Sequence, residues 1–190
     1  MKKYILSDER KVIRTWNGRI IVLYRIKAIS EFTTFAIKRK QKFTGEKKTI
    51  FYQIEPKKIE VGQSGGYVQS ERNLSQSGTC WIDDNAIAYE DAIVKDDAYL
   101  GGSASIGGKV KLYGNTKVTD KVQIGGKIRF GGRSKVVGEG TYYDEGTFEN
   151  LFLGSERTKP KNPQKESSPQ GKIKIECEFG EKRFVNSFEF

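Results

Sequence analysis

Histidine is missing altogether from the 190 residues. Imidazole is the commonest metal ligand and the usual general base near neutral pH. Its absence excludes Ser-His-Asp and Cys-His triads and any zinc held by histidine. Cysteine is scarce as well. Cys80 and Cys177 are the only two, too few for a four-thiolate zinc site. They could in principle pair, but in a chain without a secretory signal they read as buried, reduced thiols acting as small hydrophobes. No apolar run approaches the ~18 residues of a membrane-spanning helix. The opening MKKYILSDERKVIR carries two lysines but no apolar core of a secretory signal, so the expected location is the cytoplasm. Of the four prolines, three fall in SERTKPKNPQKESSPQG (155–171), which reads as a solvated linker.

What is abundant is positive charge, and it is unevenly placed. The net charge is +10, and residues 1–60 alone hold 16 Lys and Arg against 6 Asp and Glu. The remaining 130 residues are balanced. A basic head therefore precedes a neutral body.

The head reads as two hairpins. KVIRTW and RIIVLYRIKAI alternate in polarity on either side of Asn17-Gly18, a pair that tolerates positive φ and signals a type I′ turn. FAIKRKQKF and KKTIFYQI flank TGEK, which predicts a second hairpin crowded with Lys38, Arg39, Lys40, Lys42, Lys47 and Lys48. Phe35, Phe43, Phe51 and Tyr52 are interleaved with that charge. In a hairpin most of these rings are expected to face inward and cap whatever lies beneath.

From Ile82 an apolar residue returns at every sixth place: Ile82, Ala88, Val94, Leu100, Ile106, Leu112, Val118, Ile124, Phe130 and Val136. Four places after each comes a mostly small residue, Ala86 through Gly140. Two places after each anchor, Gly102, Gly108, Gly114, Gly126, Gly132 and Gly138 alternate with acidic residues. A beat of six matches neither a helix nor a single strand, but it is the mark of a repeat architecture. Short strands turning at residues that accept positive φ, three to a triangular coil, place residues 18 apart directly above one another. Ten hexads then give a little over three coils. The beat fails beyond Gly140. KIKIECEF and KRFVNSFEF, joined at Gly180-Glu181, predict a last hairpin whose Ile173, Ile175, Cys177, Phe179, Phe184, Phe188 and Phe190 share a face. The expected division is a head at 1–64, coils at 65–142, a loop and linker at 143–171 and a closing hairpin at 172–190.

The coils resemble the bacterial hexapeptide-repeat proteins, which form left-handed parallel β-helices. LYRIKAI followed by GGYVQSERNLSQSGTCWIDDNA resembles a narrower group of small repeat proteins common in phages and prophages. Their pattern is a Leu-Tyr-Arg-Ile strand, Gly-Gly-Tyr, Asn-Leu-Ser, then Trp and hexads. Residues 22–28 and 65–140 carry the match. The resemblance implies an all-β fold, a short left-handed β-helix between N- and C-terminal hairpin elements. The segment at about 35–60 is longer and more basic than the pattern. Hexapeptide-repeat folds also host acyltransferases and γ-class carbonic anhydrases, expected to use a histidine base or a histidine-held zinc. Without histidine neither activity transfers to any residue here, because fold alone does not carry function. The expectation is a non-enzyme with no cofactor and no metal site. An acyltransferase-type enzyme lacking the usual histidine is the remote alternative.

Two candidate surfaces follow. The acidic pairs Asp83-Asp84, Glu90-Asp91 and Asp96-Asp97 fall on three different corners, where tolerance of positive φ accounts for them better than metal binding. Stacking by 18 places Lys109 over Lys127, Lys111 over Arg129, and Lys117 over Lys135 with Arg133 alongside. Like charges opposite one another are unfavourable. They point either to an anionic partner or to chains splayed into solvent, with neighbours such as Asp91 compensating. The basic hairpin combines cations with aromatic rings, as nucleic-acid-binding surfaces do. It points to an acidic or phosphate-rich macromolecule, RNA or a host nucleoprotein, bound by a phage or prophage accessory factor that could block a CRISPR-type defence. The alternative is a self-assembling scaffold, joined through coil ends or the phenylalanine face of the last hairpin.

Overall fold

The computed structural model describes residues 2–15, 17–154 and 174–177. Its strands are β1 (Tyr4–Arg14), β2 (Ile20–Ala28), β3 (Phe32–Thr44), β4 (Lys47–Ile59), β5 (Ser64–Val68), β6 (Trp81–Ile82), β7 (Ile87–Ala88), β8 (Ile93–Val94), β9 (Tyr99–Leu100), β10 (Ser105–Ile106), β11 (Lys111–Leu112), β12 (Lys117–Val118), β13 (Lys121–Gly131), β14 (Lys135–Val137), β15 (Glu139–Glu149), β16 (Leu151–Gly154) and β17 (Lys174–Cys177). Among the described residues there is no α-helix, hence none long and apolar enough to cross a membrane.

From β5 to β16 the chain winds into a parallel β-solenoid of about five turns. Its register is the predicted one. Ile106 pairs with Ala88 on one side and Ile124 on the other, Leu112 with Val94 and Phe130, and Val118 with Leu100 and Val136. All ten sixth-place anchors are buried, as are the small residues from Ala86 to Ser134. Each large aliphatic anchor contributes about 1.5–3 kcal/mol when removed from water. No single coil could bury them, so the stack is held by repetition.

The corners explain the acidic residues. Asp84, Glu90, Asp96, Gly102, Gly108, Gly114, Asp120, Gly126, Gly132 and Gly138 all have positive φ, between 52° and 94°. The four acidic ones do more than tolerate the turn. The backbone N–H groups of Gly102, Gly108, Gly114 and Gly138 donate to the carboxylates of Asp84, Glu90, Asp96 and Asp120, one coil away, at 2.8–3.3 Å. Each carboxylate satisfies a donor that the corner leaves outside the ladder.

The solenoid is longer than the repeat. Before Ile82, β5 pairs parallel with β7 and Leu74 bridges Val94. Gly65 and Gly66 are required there, since a Cβ would stand 2.5 Å from Ile82 O and 2.4 Å from Ala86 O respectively. Beyond the predicted end at 142, β15 keeps the 18-residue pairing with β13, and Asn150 supplies a positive-φ corner. β16 then pairs with β14 one residue out of step, Leu153 opposite Val136. Strand structure thus continues to Gly154, through residues whose sequence predicts a loop. β17 adds antiparallel to β16. The remainder of the expected closing hairpin, with Phe184, Phe188 and Phe190, and the proline-rich 155–171 lie outside the described residues.

Two devices close the first end. β1 and β2 form the predicted hairpin, and β2 joins β5 antiparallel. Its turn differs from expectation: Gly18 takes positive φ, and Thr15 N–H donates to Arg19 O, so the closing pair stands outside a loop longer than two residues. Side chains then stand in for the missing coil. Asn73 donates to the carbonyls of Glu90 and Ala92, Gln69 accepts from Glu90 N–H, and Tyr4 OH donates to Leu74 O. The Leu-Tyr-Arg-Ile segment is explained by the same packing. Leu23 packs with Tyr67 and Tyr89 outside the coil, Arg25 bonds Glu9 and Tyr67, and Ile26 enters the main core.

Two buried ammonium groups interrupt the apolar interior. Lys3 donates to Cys80 O and approaches Cys80 Sγ at 3.3 Å, so the free, buried Cys80 is more than a hydrophobe. Lys117 belongs to no outer basic face, for it is 1% exposed and donates to Asp97 O at 2.6 Å. Burial lowers its pKa to about 8, with Asp97 acting in the opposite sense.

The end and core interactions are open to measurement. Asn73→Ala leaves two carbonyls without a donor and lowers stability by about 1–3 kcal/mol, read from denaturant midpoints. For Lys117 the folded pKa lies below the unfolded one, so its burden is full below pH 8 and is relieved as pH rises towards 10.5. At ~1.4 kcal/mol per pKa unit, the advantage of Lys117→Met over wild type shrinks by about 2 kcal/mol between pH 7 and pH 10. An unchanged difference would show that Lys117 is not desolvated.

Candidate functional site

The second hairpin, β3–β4, is a ribbon of two 13-residue strands paired from Phe32–Ile59 to Thr44–Lys47. It turns at Gly45-Glu46, with Gly45 at φ 59°. It does not cap the solenoid end. Its base lies over β9 and β12, on the flank. Phe32 meets the buried Trp81 edge-on at 5.4 Å, and Ala36, Ile37 and Ile59 enter the core. Along one corner of the stack Lys57 pairs with Asp83, which also accepts from Tyr99 OH at 2.8 Å. Two coils further on, Tyr52 OH donates to Asp120 at 2.6 Å. Burial and that carboxylate hold the Tyr52 phenol well above its ordinary pKa.

Beyond Tyr52 the ribbon leaves the body and most of its side chains are exposed. Cross-strand pairing sorts them onto two faces. Lys38, Lys40 and Lys42 share one with Phe51, and Arg39 and Phe43 share the other with Tyr52 and Lys48. Phe35, Phe43 and Phe51 are 45%, 63% and 43% exposed. This corrects the expectation that these rings point inward: only Tyr52 among the four is drawn onto the coil. Lys48 lies over the Phe43 ring at 5.9 Å. Of Lys47 only the backbone is described.

Six cations stand against two carboxylates in this tip, Glu46 and Glu55. Glu55 pairs with Lys40 at 2.8 Å and Lys38 at 3.5 Å. Those lysines, Lys40 foremost, lower its pKa. Sequence reading missed Glu55, since only the register reveals that it faces both lysines. Exposed pairs of this kind are worth little, so they orient the two ammonium groups without cancelling the surface charge. The arrangement offers phosphate-neutralising cations and two exposed rings on a ribbon narrow enough for a nucleic-acid groove.

The coil-face cations are brought together elsewhere. Lys109, Lys111, Lys127 and Arg129 line a groove of about 480 Å³ with Asp91, Ile93, Glu145, Gly146 and Thr147. It lies over β8, β11, β13 and β15, a different face from the ribbon. Lys117, and with it the third stacked pair, is excluded by its burial. Among the described residues no three metal-ligating side chains stand together. Asp83 and Asp97 are instead engaged by Lys57 and Tyr99 and by Thr79. Trp81 is core; Trp16 lies outside the described residues. Comparison with protein-family models and with curated proteins finds no match.

If the Tyr52–Asp120 bond moors the ribbon, Tyr52→Phe speeds amide hydrogen exchange across residues 38–54. The coil amides should keep their protection, and global stability should fall by no more than about 1.5 kcal/mol.

Proposed function

We propose that this protein acts by binding rather than by catalysis, and that the tip of the β3–β4 ribbon makes the contact. The single observation that carries the reading is the exposure of Phe43 and Phe51 among Lys38, Arg39, Lys40, Lys42 and Lys48. A capping hairpin would bury those rings. Beside five cations they supply stacking surfaces next to phosphate-neutralising charge. The partner is an acidic or phosphate-rich macromolecule, RNA or a host nucleoprotein. The resemblance to phage-associated hexapeptide-repeat proteins favours an encounter in a bacterial cytoplasm, where the protein serves as an accessory factor against a CRISPR-type defence.

A second reading rests on the far end of the stack. There each coil is held by the one before it through the 18-residue register, as β15 is by β13. A ladder of this kind favours addition of a further coil, as in a self-assembling scaffold. The two readings separate by salt. Ribbon-mediated binding weakens steeply as salt rises, while end-to-end assembly does not.

Affinity capture from host lysate, with and without nuclease, tests the first reading. Glutamates at Lys38, Arg39, Lys40 and Lys42 should abolish recovery of the partner. With single-stranded RNA as ligand they should lower the slope of log K against log salt by roughly 3, at ~0.7 for each phosphate no longer neutralised. The same partners captured by both proteins would end the proposal, and large salt-resistant particles without a partner would favour the scaffold.

A further inference from the structure

We infer that the groove over β8, β11, β13 and β15 is a separate site for a compact phosphate-type anion, independent of the ribbon. Two columns of side chains build it. In the corner column the order through successive coils is Asp91, Lys109, Lys127, Glu145, so each end carries a carboxylate. Lys127 and Glu145 are paired at 3.2 Å. That column is neutral as a whole. In the column beside it the order is Ile93, Lys111, Arg129, Thr147, with the registers Lys111↔Ile93, Lys111↔Arg129 and Arg129↔Thr147 given by the ladder. No acid stands in it, and its two cations are directly opposite.

The result is a two-by-two block of cations in a groove of about 480 Å³. Its sides are about 4.8 Å between coils and, from Lys127 to Arg129 along β13, about 6.6 Å. Like charges directly opposite in a ladder repel, and a shared anion is the simplest relief. The groove residues carry a net charge of +2, four cations against Asp91 and Glu145. This matches one phosphate dianion or two successive phosphodiesters. The carboxylates above and below limit the site to two coils, so it suits a short ligand better than a polyanion running the length of the stack. Arg129 contributes the planar fork that engages two oxygens at once, and the lysines add point charges around it. On one neighbouring face the positions equivalent to Lys111 and Arg129 are Ser105 and Gln123, and on the other they are Lys117 and Lys135, of which Lys117 is buried.

Isothermal titration of the whole protein with pyrophosphate at low salt tests this. Wild type should bind, the Lys111→Glu, Arg129→Glu variant should lose at least tenfold in affinity, and the ribbon variant with four glutamates should bind as wild type does. Arg129→Lys, which keeps the charge and the fold, should weaken binding several-fold. A short single-stranded RNA added as competitor then distinguishes the source. Displacement of pyrophosphate assigns the site to an RNA backbone, and no displacement assigns it to a free phosphate or nucleotide. Either outcome supports the site. Absence of binding at millimolar pyrophosphate overturns it, as does equal affinity in the Lys111→Glu, Arg129→Glu variant. So does loss confined to the ribbon variant, which would place the anion on the ribbon. Failure here leaves the ribbon's own partner to be judged by capture.

Discussion

Everything in this protein is positioned by one constraint, the 18-residue parallel ladder that sets each coil directly on the one before. Its strands are two or three residues long in the middle of the stack, too short to stand alone. They persist because each apolar anchor rests on another and each corner closes with a left-handed residue. At four of those corners an acidic side chain also binds the next coil's N–H. A carboxylate in the left-handed region is ordinarily a compromise against glycine. Here the strain is offset by a charge-assisted hydrogen bond that glycine cannot make.

The same ladder decides which charges become neighbours. In a repeat, residues far apart in the chain are placed opposite one another without any loop or domain movement. Lys111 and Arg129 share a groove because both follow a six-residue beat, and Lys127 meets Glu145 for the same reason. Interior positions obey it too, with a different consequence. Lys117 holds an outward-facing place in the hexad, yet it is fully buried and its ammonium reaches a backbone carbonyl.

The ribbon departs from this regularity, and its departure is the basis for reading it as the contact surface. It grips one corner of the stack at Asp83 and, two coils on, at Asp120 through Lys57 and Tyr52, then projects beyond the last grip with both faces in solvent. An isolated two-stranded hairpin is marginal in water, so the grip matters as much as the charge. Corner carboxylates therefore serve two purposes. Asp120 accepts both from Gly138 N–H and from Tyr52 OH, linking coil closure to ribbon placement.

Spacing alone determined the solenoid. Periodicity reports which residues must leave water, and nothing but a triangular stack lets ten anchors six apart do so. The stacked cations were legible for the same reason, since an 18-residue step is arithmetic once the coil is granted. Where the beat lapses, tertiary structure decided. The solenoid continues through β15 and β16 because backbone hydrogen bonding needs no particular side chain, only a preceding edge to pair with. The outward turn of Phe43 and Phe51, the two-lysine contact of Glu55 and the mooring at Tyr52 were decided only by the ribbon's placement on the flank. Alternation along a strand tells which residues share a face, but not which face the rest of the molecule will cover.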